Sequence, residues 1–102
     1  MNSMNHSEAV TALESLGNET RLSLYRELVR AGATGLPVGK LKDRLEIPGS
    51  TLSHHLAQLV SAGLVSQTRE GRVIRCQADY TTMQALLGYL TEECCADEDC
   101  AC

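Results

Sequence analysis

The spacing of apolar residues along the chain predicts five helices and one two-stranded hairpin. Leucine, valine and isoleucine recur every three or four residues over most of the sequence, which is the period of a helix with one buried face. One stretch instead shows two short runs around a Glu-Gly turn, which indicates paired strands. The predicted helices run from near Ser7 to Leu16, from the N-cap Asn18 to Ala31, from about Val38 to Leu45, from the turn Pro48-Gly49 to Gly63, and from about Tyr80 to about Cys95.

The fourth predicted helix has two chemically distinct sides. Ser50 is expected to cap its first turn, and Gly63 to end it in the left-handed conformation that glycine tolerates. One side should be buried, and it carries Leu52, Leu56, Leu59 and Val60. The opposite side carries short or flat hydrogen-bonding side chains: Thr51, Ser53, His54, His55 and Gln58.

The hairpin that follows carries three arginines. Its predicted strands are Leu64–Arg69 and Arg72–Gln77, joined at Glu70-Gly71, and the arginines are Arg69, Arg72 and Arg75. A polar helix face beside a basic hairpin is the arrangement by which winged helix-turn-helix proteins read DNA. The candidate DNA-binding residues are Ser50, Thr51, Ser53, His54, His55, Gln58, Arg69 and Arg72. Two alternatives stay open: His55 could be partly buried against a backbone carbonyl, and the arginines could be an ordinary solvated surface.

The predicted fold is therefore mainly α with a small β-hairpin, a winged helix-turn-helix. Residues 1–95 form the DNA-binding and dimerisation domain, and residues 96–102 form a short acidic tail that contains cysteine. The first and last helices carry more apolar residues than a small winged helix needs for its own core. We expect them to form a two-fold dimer interface. Such a dimer would place the fourth helix of each subunit, the recognition helix, on one of two successive half-sites of the DNA. The alternative is that they cover only the core of their own subunit.

The net charge of −4 does not argue against DNA binding, because the acidic residues are unevenly distributed. Residues 91–102 hold five acidic residues and no Lys or Arg, so residues 1–90 carry nine basic and eight acidic residues. A local basic surface binds phosphates even on an acidic chain. The polar N-terminus lacks a signal-peptide core and no stretch is apolar enough to span a bilayer, so a cytoplasmic protein without membrane contact is expected. No Ser/His/Asp set is suggested, so an enzyme is not expected.

Four of the five cysteines lie in the last nine residues. Such clustering in a cytosolic protein indicates metal or redox chemistry and not structural disulfides. Cys76 differs, because it alternates with Ile74 and Ala78 on the second strand of the hairpin and is expected in the core. The candidate metal ligands are Cys94, Cys95, Cys100 and Cys102.

Four segments in this order resemble the arsenical-resistance repressor family of small metal- and metalloid-sensing winged-helix proteins. They are Leu16–Leu22, Ser53–Leu59, Ser61–Val65 and Arg69–Arg72. The resemblance spans roughly Val10 to Cys95. It implies a homodimer that binds operator DNA and leaves it when an inducer binds. It also implies that Ser53, His54, His55 and Gln58 face the major groove, and that Arg69 and Arg72 contact the phosphates beside it.

The chain departs from the two best-known inducer sites of that family. The helix before the recognition helix has no cysteine pair, and no histidine follows His55, which argues against a histidine/carboxylate zinc site. The C-terminal thiolates remain, and soft ligands of this kind select thiophilic ions. Three thiolates, Cys94, Cys95 and either Cys100 or Cys102, suit As(III) or Sb(III) as inducer. Four would suit zinc or cadmium.

Several hypotheses about the function of the cysteines therefore remain open. The main hypothesis is an arsenite- or antimonite-responsive transcriptional repressor, in which a methylated arsenical would need only the pair Cys94-Cys95. The alternatives are a zinc- or cadmium-responsive repressor, a repressor controlled by thiol oxidation, a thiol protein that buffers metal, and an acidic tail whose cysteines are incidental.

Overall fold

The computed structural model describes residues 4–98, and within that range it contains five α-helices, a 3₁₀ turn and a three-stranded antiparallel sheet. The predicted winged helix-turn-helix is confirmed. In chain order the elements are α1 (His6–Leu16), α2 (Glu19–Ala31), the 3₁₀ turn (Gly32–Thr34), β1 (Leu36–Pro37), α3 (Val38–Leu45), α4 (Gly49–Ser61), β2 (Val65–Glu70), β3 (Val73–Ala78) and α5 (Tyr80–Thr91).

Side-chain caps set the start of three helices. Asn5 and Glu8 form a reciprocal capping box on α1, and the Asp79 side chain accepts the backbone N–H of Thr82 on α5. The Asn18 side chain accepts the backbone N–H of Arg21, so the predicted cap of α2 is confirmed. Each cap satisfies an N–H group that has no partner inside its helix.

The predicted cap of α4 is wrong. The N-cap is Pro48, in an extended conformation and without a side-chain cap bond, and the helix begins at Gly49. The Pro48 carbonyl already accepts the N–H of Leu52 at 3.0 Å, which starts the helical ladder. Ser50 therefore lies inside the first turn with its side chain exposed. The other end is as predicted, since Gly63 follows the last turn with φ of 78°.

The last helix is shorter than predicted and ends at Thr91 instead of Cys95. Glu92 and Glu93 follow directly, and α5 has no basic residue in its last turn. Negative charge is unfavourable at this end of the helix dipole. Glu93 and Cys95 take positive φ values, and the backbone continues in successive turns.

The predicted two-stranded hairpin, β2 and β3, forms the wing. The strand order of the sheet is β1–β3–β2, so a third strand lies beside β3 at the base of the wing. β3 pairs with β2 from Ala78 opposite Val65 to Val73 opposite Glu70, which leaves a two-residue turn of Gly71 and Arg72. Arg72, expected at the start of a strand, therefore lies in the turn. β1 contains only two residues, too few to produce a period in the sequence.

Gly35 permits the close approach of β1 to β3. Its φ is 66°, and a Cβ at this position would collide with the carbonyl oxygen of Cys76. The chain at the base of the wing thus requires glycine for both its conformation and its space.

Leucines from four helices and the wing base form the core. Leu52, Leu56 and Leu59 of α4 are buried as predicted, whereas Val60 is 37 % exposed and was wrongly assigned to the stripe. Cys76 is fully buried, as predicted, but Ile74 is exposed because the strand extends beyond the body towards the turn. The largest fully buried side chains are Leu24, Leu28, Leu41, Leu52, Leu59, Leu64, Leu86 and Cys76.

The hydroxyl of Tyr25 gives a test of this core. Tyr25 is buried, and its hydroxyl has no hydrogen-bond partner among the residues that the structure describes. Burial, and then the neighbouring Tyr80 and Asp79, raise the pKa of Tyr25. Because an unsatisfied buried polar group costs about 1–3 kcal/mol, Tyr25→Phe should raise the free energy of unfolding by about 1 kcal/mol in urea denaturation.

Tyr80→Phe is the matched control. The Tyr80 hydroxyl donates to the carbonyl of Val29 at 3.2 Å, so its removal should lower the free energy of unfolding by about 0.5–1.5 kcal/mol. Destabilisation of equal size in both variants would show that the Tyr25 hydroxyl is satisfied in solution.

Candidate nucleic-acid interface

A tight turn sets the angle between α3 and α4. Glu46 ends α3 in the left-handed conformation, with φ of 53° and ψ of 45°, and its N–H donates to the carbonyl of Lys42. The extended Pro48 then redirects the chain into α4. Two helices joined by so short a turn, the second with a polar outer face, form a helix-turn-helix.

The outer face of α4 carries the predicted polar residues. Five of the six predicted positions on this helix have exposed side chains, namely Ser50, Thr51, Ser53, His54 and Gln58. His55 is only half-buried, because it lies at the boundary between this face and the leucine stripe. The rings of His54 and His55 are tilted by 59° with their centroids 5.7 Å apart. The structure thus brings the helical part of the predicted set onto one surface.

His55 contacts a side chain that the sequence did not suggest. Its Nδ1 lies 3.3 Å from Nη1 of Arg21 on α2, and not against a backbone carbonyl as the alternative held. Nε of Arg21 donates to the carbonyl of Ser15, at 2.6 Å. Partial burial lowers the pKa of His55, and the charge of Arg21 and the neighbouring His54 lower it further. Arg21 lies 34 residues from His55 in sequence, so no local pattern could reveal the pair.

The three arginines of the wing have different roles. Arg69 and Arg72 are exposed, and Nε of Arg69 donates to the carbonyl of Gly71 at the tip. Arg75 is held in place, because Nε donates to Glu70 at 3.0 Å and Nη1 to the carbonyl of Thr34 at 3.1 Å. The pair of Arg75 and Glu70 is a diagonal contact between neighbouring strands. Arg75 therefore fixes the wing to the body, and Arg69 and Arg72 remain available to a ligand.

Basic residues of α3 add to the same half of the molecule. Lys40 and Lys42 are exposed, whereas Arg44 forms an ion pair with Glu27, which also pairs with Arg30. Exposed pairs of this kind contribute little to stability. The two lysines are the cations of α3 that no carboxylate engages among the described residues.

The described part of the C-terminal cysteine cluster is a vicinal pair. The sulfur atoms of Cys94 and Cys95 are 3.5 Å apart; Cys94 is an exposed free thiol, and Cys95 takes part in a disulfide bond. Residues 4–98 contain no group of three or more His, Cys, Asp or Glu side chains that could hold a metal ion. The predicted ligands Cys100 and Cys102 lie outside the described residues.

Cys76 is separate from that cluster. Its thiol is fully buried at the wing base, where burial raises its pKa and a hydrogen bond from Gln67 lowers it to a smaller extent. A buried thiol with a raised pKa reacts slowly, since the thiolate is the reactive form.

These features define a winged helix-turn-helix DNA-binding protein. A helix-turn-helix domain family matches residues 16–68. The transcriptional activator HlyU of Vibrio cholerae is 35 % identical over 86 residues, which cover 84 % of this chain and 77 % of HlyU. A putative arsenical resistance operon repressor, ArsR, of Halobacterium salinarum is 39 % identical over 75 residues, 74 % of this chain and 55 % of that protein.

Solved structures agree with the sequence relatives. An ArsR-like transcriptional regulator from Rhodococcus sp. RHA1 superposes with a TM-score of 0.76 and 26 % identity, over 90 % of this chain and 83 % of that one. The chain therefore belongs to the ArsR family of winged helix-turn-helix transcriptional regulators. Among residues 4–98, no helix is both long and apolar enough to cross a membrane.

The lowered pKa of His55 predicts a pH dependence of stability. The unfolded chain, with a histidine pKa near 6.5, takes up a proton before the folded state does, so acid favours unfolding. The free energy of unfolding should fall as the pH is lowered through 6.5 and below, and His55→Gln should reduce that fall. In an NMR titration the His55 ring should titrate below 6.5.

His54→Gln is the comparison for this experiment, because it removes a neighbouring imidazole from the same exposed face but leaves His55 in place. Since His54 is the smallest of the causes that lower the pKa of His55, this variant should alter the pH dependence less than His55→Gln does. Arg21→Gln should return the pKa of His55 towards its ordinary value. A His55 ring that titrates at or above 6.5 in the wild-type protein would contradict the burial and charge seen here.

Proposed function

We propose that this chain is a metalloid-responsive transcriptional repressor that binds operator DNA as a homodimer. As(III) or Sb(III), bound by C-terminal cysteine thiolates, would act as the inducer that releases the DNA. The observation that carries the DNA-binding part is the exposed polar face of α4 together with the exposed arginines of the wing, Arg69 and Arg72. Because its relatives are transcriptional regulators, we infer that the chain has no enzymatic activity.

The proposed contacts divide into two kinds. The polar residues of α4 would face base edges and sugar-phosphate groups in the major groove. They are Ser50, Thr51, Ser53, His54, His55 and Gln58. Arg69 and Arg72, and the lysines of α3, would contact phosphates. Phosphate contacts orient a protein on the duplex, whereas base contacts provide the sequence preference.

Exposed apolar side chains on two adjacent helices support the homodimer. Val10 and Leu13 of α1 are more than 40 % exposed, and Leu87 and Leu90 of α5 more than half. Both helices keep a separate buried face, which includes Ala9 and Ala12 on α1 and Leu86 on α5, so the exposed residues are not needed for the core of one subunit. A dimer through this surface would place two α4 helices on half-sites about 34–36 Å apart.

The vicinal cysteines support a thiophilic inducer. The Cys94 and Cys95 sulfurs are 3.5 Å apart, close enough for both to bind one thiophilic ion. The third thiolate would come from Cys100 or Cys102, and the disulfide of Cys95 must first be reduced. Arsenical resistance is also part of the name of the Halobacterium salinarum relative.

The position of the pair suggests how the signal would reach the DNA. Cys94 and Cys95 follow directly after α5, one of the two helices of the proposed interface. Ligand binding there would change how the last turn of α5 packs and thereby the distance between the two recognition helices. A coupling free energy of about 1–3 kcal/mol, roughly 5- to 150-fold in affinity, would suffice for release.

Removal of the wing arginines should weaken DNA binding without loss of the fold. In fluorescence anisotropy on the chain's own upstream promoter DNA, the double variant Arg69→Ala/Arg72→Ala should bind more weakly. The slope of log affinity against log salt should fall by about one for each phosphate contact removed. Arg26→Ala/Arg30→Ala removes the same charge from α2, outside the proposed interface, and should bind nearly as the wild type does. Equal losses in the two variants would argue against a wing contact.

Arsenite should release the reduced protein from the same DNA, and loss of the vicinal thiols should abolish that release. Cys94→Ser/Cys95→Ser should bind the DNA normally and stay bound when arsenite is added. Cys76→Ala, which replaces the buried thiol, should still respond. Single Cys100→Ser and Cys102→Ser variants identify the third ligand. Normal release of the Cys94/Cys95 variant would place the inducer site elsewhere.

Control by thiol oxidation is the second candidate, and the disulfide of Cys95 is the observation that favours it. This alternative predicts release by diamide and recovery with dithiothreitol, with no response of the reduced protein to arsenite. Release by zinc or cadmium with dependence on all four cysteines would indicate a metal sensor. Metal binding without any sequence-specific DNA binding would indicate a metal-buffering protein.

A further inference from the structure

We propose that Arg21 is a positioning residue that fixes His55 as a neutral imidazole with its proton on Nε2, so that the recognition helix presents a hydrogen-bond donor to the DNA at this position. This inference rests on the proposed DNA-binding function. It requires that the DNA present a hydrogen-bond acceptor atom opposite His55.

Arg21 is held in place before it reaches His55. Its backbone N–H donates to the Asn18 side chain at 3.0 Å, and its Nε donates to the carbonyl of Ser15 at 2.6 Å. The side chain is half-buried between the end of α1 and α4. A guanidinium is planar, so these bonds leave Nη1 with a defined direction, and it lies 3.3 Å from Nδ1 of His55.

The chemistry of this contact determines the tautomer. Arginine has only donors, so Nδ1 of His55 must offer its lone pair. In a neutral imidazole the proton then resides on Nε2. A protonated ring would set two N–H donors and two positive charges against each other. The charged and titratable groups at the ring, Arg21 from α2 and His54 from α4, both disfavour the protonated form.

The same contact connects the recognition helix to the rest of the molecule. Arg21 bridges the Ser15 carbonyl on α1 to His55 on α4. The Ser15 hydroxyl independently donates to the carbonyl of Gln58, at 3.4 Å, one turn further along α4. His55 is thus held from its inner side, and the Nε2–H is the ring donor that these contacts leave available.

A donor at this position constrains the DNA. In the major groove guanine offers O6 and N7, adenine offers N7 and thymine offers O4 as acceptors, whereas cytosine presents its N4 amino donor. A phosphate oxygen is also an acceptor. We therefore expect the site opposite His55 to hold one of these acceptors and to disfavour cytosine.

The first test is NMR on the free protein, without DNA. Two-bond ¹⁵N correlation spectra at neutral pH should show His55 with an unprotonated Nδ1 and a protonated Nε2. Arg21→Met keeps the aliphatic stem without the donors and should give a mixture of tautomers. Arg26→Met loses the same charge from the same helix and should leave the His55 ring unchanged. A wild-type ring with its proton on Nδ1, or a tautomer unaffected by Arg21→Met, would overturn the proposal.

The second test is DNA affinity with two substitutions of His55 itself. Glutamine places an amide N–H near the position of Nε2, whereas asparagine does not extend so far. Thus His55→Gln should retain most of the affinity. His55→Asn should lose about 5- to 30-fold, because a symmetric dimer loses the bond twice. Equal loss in both variants would show that the Nε2 donor does not contact the DNA.

Modified DNA distinguishes the two kinds of acceptor. Sensitivity to 7-deazapurine substitution at one position, lost in His55→Asn, would assign a base contact, and sensitivity to a methylphosphonate would assign a phosphate contact. Absence of DNA binding by the wild-type protein would refute the proposed function, whereas the NMR experiment would still decide whether Arg21 fixes the tautomer.

Discussion

Burial of one leucine stripe on α4 determines what this protein can present to a ligand. Leu52, Leu56 and Leu59 are almost completely inaccessible, and each stabilises the fold by roughly 1.5–3 kcal/mol through the apolar area that it removes from water. Rotation of the helix by one residue would expose these side chains and bury polar ones without partners. The outward direction of Thr51, Ser53, His54 and Gln58 is therefore a consequence of core packing.

The positions at the edge of that face are set by polar contacts. Arg21 joins the end of α1 to His55, and Arg75 joins the wing to the 3₁₀ turn before β1. Each arginine carries a charge of the sign that DNA attracts, yet each is engaged by acceptors of the protein itself. The surface thus separates arginines that orient other parts of the site from Arg69 and Arg72, which are exposed. Arg69 bonds locally to the carbonyl of Gly71 in the turn, and neither arginine is tied to the body of the molecule by a contact described above.

Helix α5 ends at Thr91, directly before the cysteines at which sensing chemistry is proposed. Two glutamates follow α5 at the negative end of its dipole, and the second of them, Glu93, has a positive φ, as does Cys95. With this backbone the sulfurs of Cys94 and Cys95 lie 3.5 Å apart. A helix that continued to Cys95, as the apolar period predicted, would direct adjacent side chains about 100° apart around its axis. The early end of α5 therefore makes a shared ligand for Cys94 and Cys95 geometrically feasible.

Features that depend on neighbouring residues could be predicted from the amino-acid sequence. The periodicity of α4, the cap at Asn18, the glycine at position 63 and the burial of Cys76 all follow from interactions within a few residues, so local rules were sufficient for them. Other features depend on contacts between distant parts of the chain. The third strand, the engagement of Arg75 by Thr34 and the contact of Arg21 with His55 join residues more than thirty positions apart. Because such contacts arise only after the helices have packed, no period or motif in the chain predicts them.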